Sequence, residues 1–281
     1  MPAGNEFKIY IFELIAAFVL LFMSPDIRAQ QTNSSSYHQY LQDVFQSELV
    51  YPQEKNEFQI TLLPQYQTSS DFNSFNIPFN TEFGLTDSWQ VALGLNSFRK
   101  IVPHSGSSVS GIGDLQIGSK YSFMNIRNSN FHAAVGFELS IPFRSDDNDD
   151  DNRFISYEPY ISFAVDFPKL NQIHLFAMTS MEFFGQKNKV DEDMEPTEFN
   201  LNGGFLFPYK FIVLTTEFSC NTNKLSGGDE IELYYTPGLI LNLPGTWETG
   251  LGVPIGLNQQ SDSFGIIAMF TFEFSILDKN D

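Results

Sequence analysis

The chain has 281 residues and a formal net charge of −19, with 17% charged and 15% aromatic side chains, Phe alone occurring 30 times. That balance repels nucleic acid and other polyanions, and the single cysteine, Cys220, excludes an internal disulfide framework and a Cys-based zinc site. The length suits one large β domain or two ordinary ones.

Residues 1–29 read as a signal peptide. Lys8 precedes an apolar core at 9–23, and SPDIRAQ supplies a polar end with cleavage after Ala29. The apolar run is shorter than the roughly 20 residues of a spanning helix, and no other long apolar stretch follows. Residues 30–56 are polar, with a weak apolar spacing at Tyr40, Leu41, Val44 and Phe45. They are expected to form a flexible lead-in, with one short helix, to the first strand.

From Glu57 onward the sequence breaks into twelve alternating segments, at 57–66, 74–85, 88–97, 111–123, 130–142, 154–167, 172–184, 197–207, 209–219, 230–243, 246–257 and 263–276. Their connections alternate in kind. Short ones (Thr86-Asp87, 125–129, 168–171, Pro208 and Pro244-Gly245) are interleaved with longer polar ones such as FRKIVPHSGSSVS, RSDDNDDDNR and QKNKVDEDMEP. Short turns on one side and looser loops on the other mark a transmembrane barrel.

Parity gives the same answer. In segment five, Phe131, Ala133, Val135, Phe137, Leu139 and Ile141 share one face, and His132, Ala134, Gly136, Glu138 and Ser140 share the other. GTWETGLGVPIGL at 245–257 repeats the pattern, with Trp247, Thr249, Leu251, Val253, Ile255 and Leu257 opposite Glu248 and the glycines. Carboxylates recur on the less apolar parity at Glu82, Asp114, Glu138, Glu158, Glu182, Glu232, Glu248 and Glu273, with Lys120 as the inward cation. In a dry core each unpaired carboxylate costs several kcal/mol, so that face is wet. The other face is too apolar for water and meets lipid. Only closure then pairs the backbone, and the expected fold is an all-β, antiparallel up-and-down transmembrane β-barrel of about 12 strands over 57–281. Trp89, Tyr121, Phe123, Phe167, Phe207 and Trp247 lie at turn-side ends, where aromatic girdles form. Pro64, Pro78, Pro159, Pro237 and Pro254 imply bulges or breaks.

Three stretches carry a family resemblance: ELVYPQEKNEFQITLLPQY at 48–66, GIGDLQIGSKYSF at 111–123, and WETGLGVPIGLNQQSDSFGIIAMFTFEF at 247–274. They resemble the bacterial outer-membrane β-barrel family named for transporters of the phenol meta-cleavage pathway. The likeness covers most of 48–274 and implies an outer-membrane barrel of about twelve strands with a transport role. The chain departs from the usual pattern by ending SILDKND after Phe274, where barrels stop at an aromatic residue read by the barrel-assembly machinery.

The expected function is a passive channel or transporter for small solutes in the bacterial outer membrane. Its lumen, lined by Glu82, Asp114, Lys120, Glu138, Glu158, Glu182, Glu232, Glu248 and Glu273, favours cations or neutral molecules. The alternative is a closed structural or surface-binding barrel. His132 and His174 begin upward strands and point inward, His38 and His104 lie in loops, and the sequence contains neither Gly-x-Ser-x-Gly nor HExxH. No catalytic residues, cofactor or metal are expected. The expected partners are outer-membrane lipid, the assembly machinery and a small solute, with no nucleic acid. SDDNDDDN at 145–152 lacks the glycine and glutamate of an EF-hand and reads as a solvated loop able at most to bind divalent cations loosely.

Overall fold

The computed structural model describes residues 41, 43–142, 155–170, 172–184, 197–222, 231–243 and 246–276. The signal peptide and the 145–152 loop lie outside these. Fifteen strand segments form one closed antiparallel sheet: β1 (Glu57–Leu62), β2 (Gln65–Thr68), β3 (Phe72–Thr86), β4 (Trp89–Pro103), β5 (Val109–Gly111), β6 (Leu115–Phe123), β7 (Phe131–Ile141), β8 (Ser156–Phe167), β9 (Ile173–Phe184), β10 (Thr197–Tyr209), β11 (Ile212–Thr222), β12 (Ile231–Leu243), β13 (Trp247–Gly252), β14 (Ile255–Gly256) and β15 (Phe264–Ser275). The pairs β1/β2, β5/β6 and β13/β14 are each one wall strand interrupted, which leaves twelve. The last strand closes on the first, with Phe58 opposite Phe274 and Leu62 opposite Phe270, and with Tyr66 opposite Ile266 after the break.

The faces follow from the side-chain period of two. Leu93, Ile117, Leu201, Leu214, Phe218, Leu251 and Phe270 are exposed on the outside, while Glu82, Gln90, Lys120, His132, Glu217 and Thr271 are buried on the inside. Aromatic residues border the short turns. Trp89 and Tyr121 are direct cross-strand partners, and the rings of Trp247 and Phe272 lie 4.5 Å apart.

Two expected connections are redrawn. The β10–β11 turn falls at Lys210-Phe211, where Lys210 takes a positive φ of 59°, while Pro208 stays in β10 opposite Val213. The β9 ladder ends at Leu206, so no partner strand calls on the missing N–H of Pro208. β4 also runs on to Pro103 and pairs Arg99 with Gly111, which takes half of the expected FRKIVPHSGSSVS loop into the sheet.

Four of the prolines fall beside one another. Leu63 N donates to Pro78 O (2.9 Å), Ala268 N to Pro64 O (2.9 Å), Gly265 N to Pro254 O (2.8 Å) and Val253 N to Pro237 O (3.0 Å). The interruptions of β1/β2 and β13/β14, and the register shift between Asn76 and Pro78, thus form one seam from β3 to β12.

A charge on the outer face tests the lipid assignment. Phe218→Arg, near the middle of β11, should destabilise folding into vesicles by about 2–4 kcal/mol in a urea titration, and Tyr209→Arg at the turn end by about 0–1 kcal/mol. Equal, negligible losses at both sites would refute a hydrocarbon environment for this face.

Candidate functional site

Inside the barrel, residues 43–56 thread the half nearest the short turns. Leu41, Val44, Phe45, Leu49, Val50 and Tyr51 are at most 4% exposed. They pack against inward-facing Phe176, Leu206, Val213, Ile240, Ile267 and Met269. The chain leaves by the short-turn end, where Asn56 N donates to Gly84 O (2.9 Å) and Lys55 N to Asp87 Oδ1 (3.3 Å). Here the expected flexible lead-in at 30–56 is corrected for residues 43–56, which hold a defined path inside the wall, while residues 30–40 and 42 lie outside the described residues. In place of a helix there is a tight turn closed by a bridge between Asp43 and Glu48. The cause is mutual burial, because two apolar surfaces that would otherwise face lumen water cover each other.

The aromatic anchor of the segment is Phe45. Its ring sits where β12 and β13 carry glycine, against Gly238, Gly250 and Gly252, and a Cβ on Gly252 would lie 2.6 Å from Phe45 Cγ. Beside it the Glu217 carboxylate, fully buried in β11, accepts three hydrogen bonds, from Phe45 N (3.0 Å), Gln46 N (3.1 Å) and Ser47 Oγ (3.0 Å). Neighbouring wall groups also hold Gln46, since Asn202 Nδ2 donates to its carbonyl (3.0 Å) and Ser219 Oγ to its Oε1 (2.7 Å).

A second anchor centres on Asp166. It takes a 2.9 Å bond from His132 Nε2, lies 2.6 Å from His174 Nδ1 and accepts from Tyr51 Oη (2.7 Å). Asn125 N donates to His132 Nδ1 (3.0 Å), so that ring nitrogen is an acceptor and Nε2 carries the proton toward Asp166.

A third anchor joins the segment to β1, β3, β4 and β6. Lys120, only 1% exposed, donates to Glu48 Oε2 (3.1 Å) and Leu49 O (2.9 Å). Gln53 N donates to Gln90 Oε1 (2.8 Å), and Gln90 Nε2 to Glu82 Oε2 (2.7 Å). Asp43 Oδ2 accepts from Gln59 Nε2 (3.0 Å). Burial, with Glu48 close by, pushes the Asp43 carboxyl up to about 7.

The residues expected to line the lumen divide by height. Glu82 and Lys120 touch the inner segment, and Glu248 and Glu273 lie half-buried near the same end. Glu138, Glu158, Glu182 and Glu232 stand in the half toward the long loops, where Gln116 Nε2 donates to Glu138 (2.7 Å) and Tyr234 Oη to Glu232 (3.2 Å). Glu138 is the direct cross-strand partner of Glu158, and Glu182 that of Glu198. Asp114 is exposed, in the interruption where 112–114 leave the ladder between β5 and β6.

Sequence reasoning missed Glu217, Glu198, Asp166, Asp43 and Glu48. The first three share the inward parity of their strands and were open to the same test that found the others. Asp43 and Glu48 lie outside any strand, where parity says nothing.

Residues 80–274 match the family model described as "Putative MetA-pathway of phenol degradation". No curated protein matches the chain. Among solved structures, the chain is similar to the NanC porin, at 9% identity and a TM-score of 0.54 over 78% of this chain and 100% of that one. It is also similar to the KdgM porin in complex with disordered oligogalacturonate, at 12% identity and a TM-score of 0.51 over 78% and 99%. At these identities the likeness is one of fold, an outer-membrane porin barrel.

Side chains placed in the Phe45 socket should undock the segment. With Gly238→Val and Gly252→Val together, overpacking of about 1–3 kcal/mol should speed hydrogen exchange at the Phe45 and Gln46 amides roughly tenfold or more, with the wall amides unchanged. Unaltered exchange at both amides would show that the socket does not hold the segment.

Proposed function

The chain belongs to the family described as "Putative MetA-pathway of phenol degradation", and from that premise we propose that it is a passive channel for small solutes in the bacterial outer membrane. The preferred solutes are cations and neutral molecules, and the short turns face the periplasm. The neutral class includes the phenolic compounds to which the family description refers.

The observation that carries this reading is the pairing of Glu138 with Glu158 and of Glu182 with Glu198 on the inner face of four consecutive strands. Like charges directly opposite each other weaken a sheet, by some tenths of a kcal/mol up to about 1 kcal/mol per pair. Ser, Thr or Gln would line a water-filled wall without that cost. A carboxylate field in the wider half concentrates cations and repels anions from a solute path. No chemical step is proposed, because the buried His132, His174 and Asp166 are used in holding Tyr51.

One observation favours a second reading, a closed structural barrel: the short-turn half is occupied by residues 43–56 and their three anchors. For a channel, the segment narrows or gates the path; for a structural barrel, it is the core.

Bilayer recordings on the full chain separate the two. A channel should conduct with K⁺ preferred over Cl⁻, a preference that shrinks as salt rises. It should fall toward equal permeability when Glu138, Glu158, Glu182 and Glu198 are all changed to Gln. Silence at every voltage from protein shown to be inserted would favour the structural barrel. Conduction without ion preference would remove the role given to the carboxylates.

A further inference from the structure

Three successive short turns, β6–β7 (124–130), β8–β9 (168–172) and β10–β11 (Lys210-Phe211), stand side by side at one end of the wall, because β6 to β11 neighbour one another in order. Each carries one exposed cation: Arg127, Lys169 and Lys210. None carries a carboxylate, in a chain whose acidic residues outnumber its Lys and Arg by 34 to 15. Among the described residues, none of the three cations enters an ion pair. The β3–β4 turn differs, since Asp87 stands there and accepts from Lys55 N.

The backbone adds a second contrast. Arg127 and Lys210 both take left-handed φ values, 55° and 59°. Glycine and asparagine adopt that region at least cost, and asparagine holds it in the β6–β7 turn itself, at Asn125 and Asn128. A long cationic side chain at such a position breaks the local rule, which points to a contact made by its charge.

Apolar side chains accompany the charges. Leu170, Tyr209 and Phe211 are 58%, 65% and 56% exposed, more than the outward wall residues Phe218 (52%) and Leu251 (51%). Tips so apolar are unfavourable in water and favourable where they dip below a layer of lipid head groups. The outward rings of Tyr121, Phe167 and Phe207, just before the three turns, mark the edge of the hydrocarbon. The cations beyond them therefore fall within the head-group layer, which is about 5–8 Å deep. Lys210 Nζ lies 5.4 Å from the centre of the outward Tyr209 ring, which keeps the ammonium on the lipid side of its turn.

We propose that Arg127, Lys169 and Lys210 form a docking arc for anionic phospholipids of the leaflet that the short turns face, each cation taking the phosphate of a head group that has no ammonium of its own. Neighbouring turns lie two strands, roughly 10 Å, apart, a spacing that seats separate lipids rather than one shared phosphate. The apolar tips beside the cations enter the top of the acyl region. An anionic surface repels a chain of net charge −19 as a whole, so the arc decides which side of the barrel such lipids occupy. The arc rests on the membrane placement given under the proposed function and not on conduction, and a barrel silent in bilayer recordings would keep it.

Electron spin resonance on the full chain, folded into phosphatidylcholine vesicles with a trace of spin-labelled phosphatidylglycerol or spin-labelled phosphatidylcholine, tests the arc. The motionally restricted fraction should show phosphatidylglycerol associating roughly threefold or more better than phosphatidylcholine at low salt, a preference that fades at about 0.5 M salt. Combining Arg127→Asn, Lys169→Gln and Lys210→Asn should bring the two lipids close to equal association. Asparagine suits the left-handed positions, so the turns are kept, and heat-dependent gel migration verifies that the barrel is intact. Arg99→Gln with Lys100→Gln, at the long-loop end, should leave most of the preference in place. Equal association of both lipids with the wild-type chain would overturn the proposal and leave the arc to a soluble partner. A preference untouched by the triple change, or abolished by the pair at the other rim, would also overturn it by placing the lipid elsewhere. Persistence of the full preference in high salt would overturn the pairing of cation with phosphate.

Discussion

Everything in this barrel follows from the need to pair the backbone in hydrocarbon. An unpaired N–H or C=O costs several kcal/mol there, so the sheet can have no edge, and the last strand must find the first. It does so along the whole of β15, which meets β1 and then β2. Closure fixes which side of each strand faces lipid. From that assignment come the outward Leu, Ile and Phe, the aromatic residues at the turn ends and the confinement of the strand carboxylates to the inside.

Closure also creates an interior that must be dealt with. Here the two halves are treated differently. Toward the long loops the wall keeps opposed glutamates and half-exposed polar groups, consistent with water. Toward the short turns the inward parity changes character, to Ile240, Ile267, Met269, Leu206 and Val213, and a segment from the same chain covers them. The buried carboxylates of that half are each tied to the segment or to the glutamines around it, Glu217 by three donors, Asp166 by a tyrosine and two histidines, and Glu82 by Gln90. Removing the segment would take all three donors from Glu217 and the tyrosine from Asp166, which makes the segment part of the folded wall rather than an appendage.

The wall was legible in the sequence because a period of two, repeated over twelve segments and bounded by turn residues, is a long-range signal that no single exception erases. All twelve segments correspond to wall strands, and the turn ends moved by only a few residues, as at Lys210. The segment was not legible, for a physical reason. Residues 41–56 lack periodicity, because an irregular chain held by side-chain anchors has none. The complementary signal lay in the wall, as apolar residues on a parity otherwise reserved for polar ones: Ile267 and Met269 in β15, and Val213 in β11. Taken singly they read as slips. Together, in one cluster, they mark a patch that needs a cover, and Leu41, Val44 and Phe45 are the apolar residues upstream of the barrel that supply one. The two glycines of TGLG carried a similar message, since Gly250 and Gly252, with Gly238 on the neighbouring strand, face inward and leave a hole the size of an aromatic ring.

The prolines extend the argument from closure. A proline inside a barrel strand withholds an N–H and leaves a neighbour's carbonyl short, and in a bilayer that loss cannot be made good by water. Scattered over the wall, five such residues would make five separate weak points. Pro78, Pro64, Pro254 and Pro237 instead sit on adjoining strands, where each interruption faces another and each proline carbonyl is taken up by the next strand. The strand that breaks at Pro64 keeps its register on β3 across the break, with Leu62 opposite Phe79 and Gln65 opposite Asn76, while the shift at Asn76 to Pro78 falls in the ladder to β4. The strand that breaks at Pro254 meets β12 where Pro237 has no N–H to give. Placing four of the five side by side lets one irregular seam absorb them, while Pro159 stands apart in β8, where the ladder to β9 skips Glu158 and Pro159.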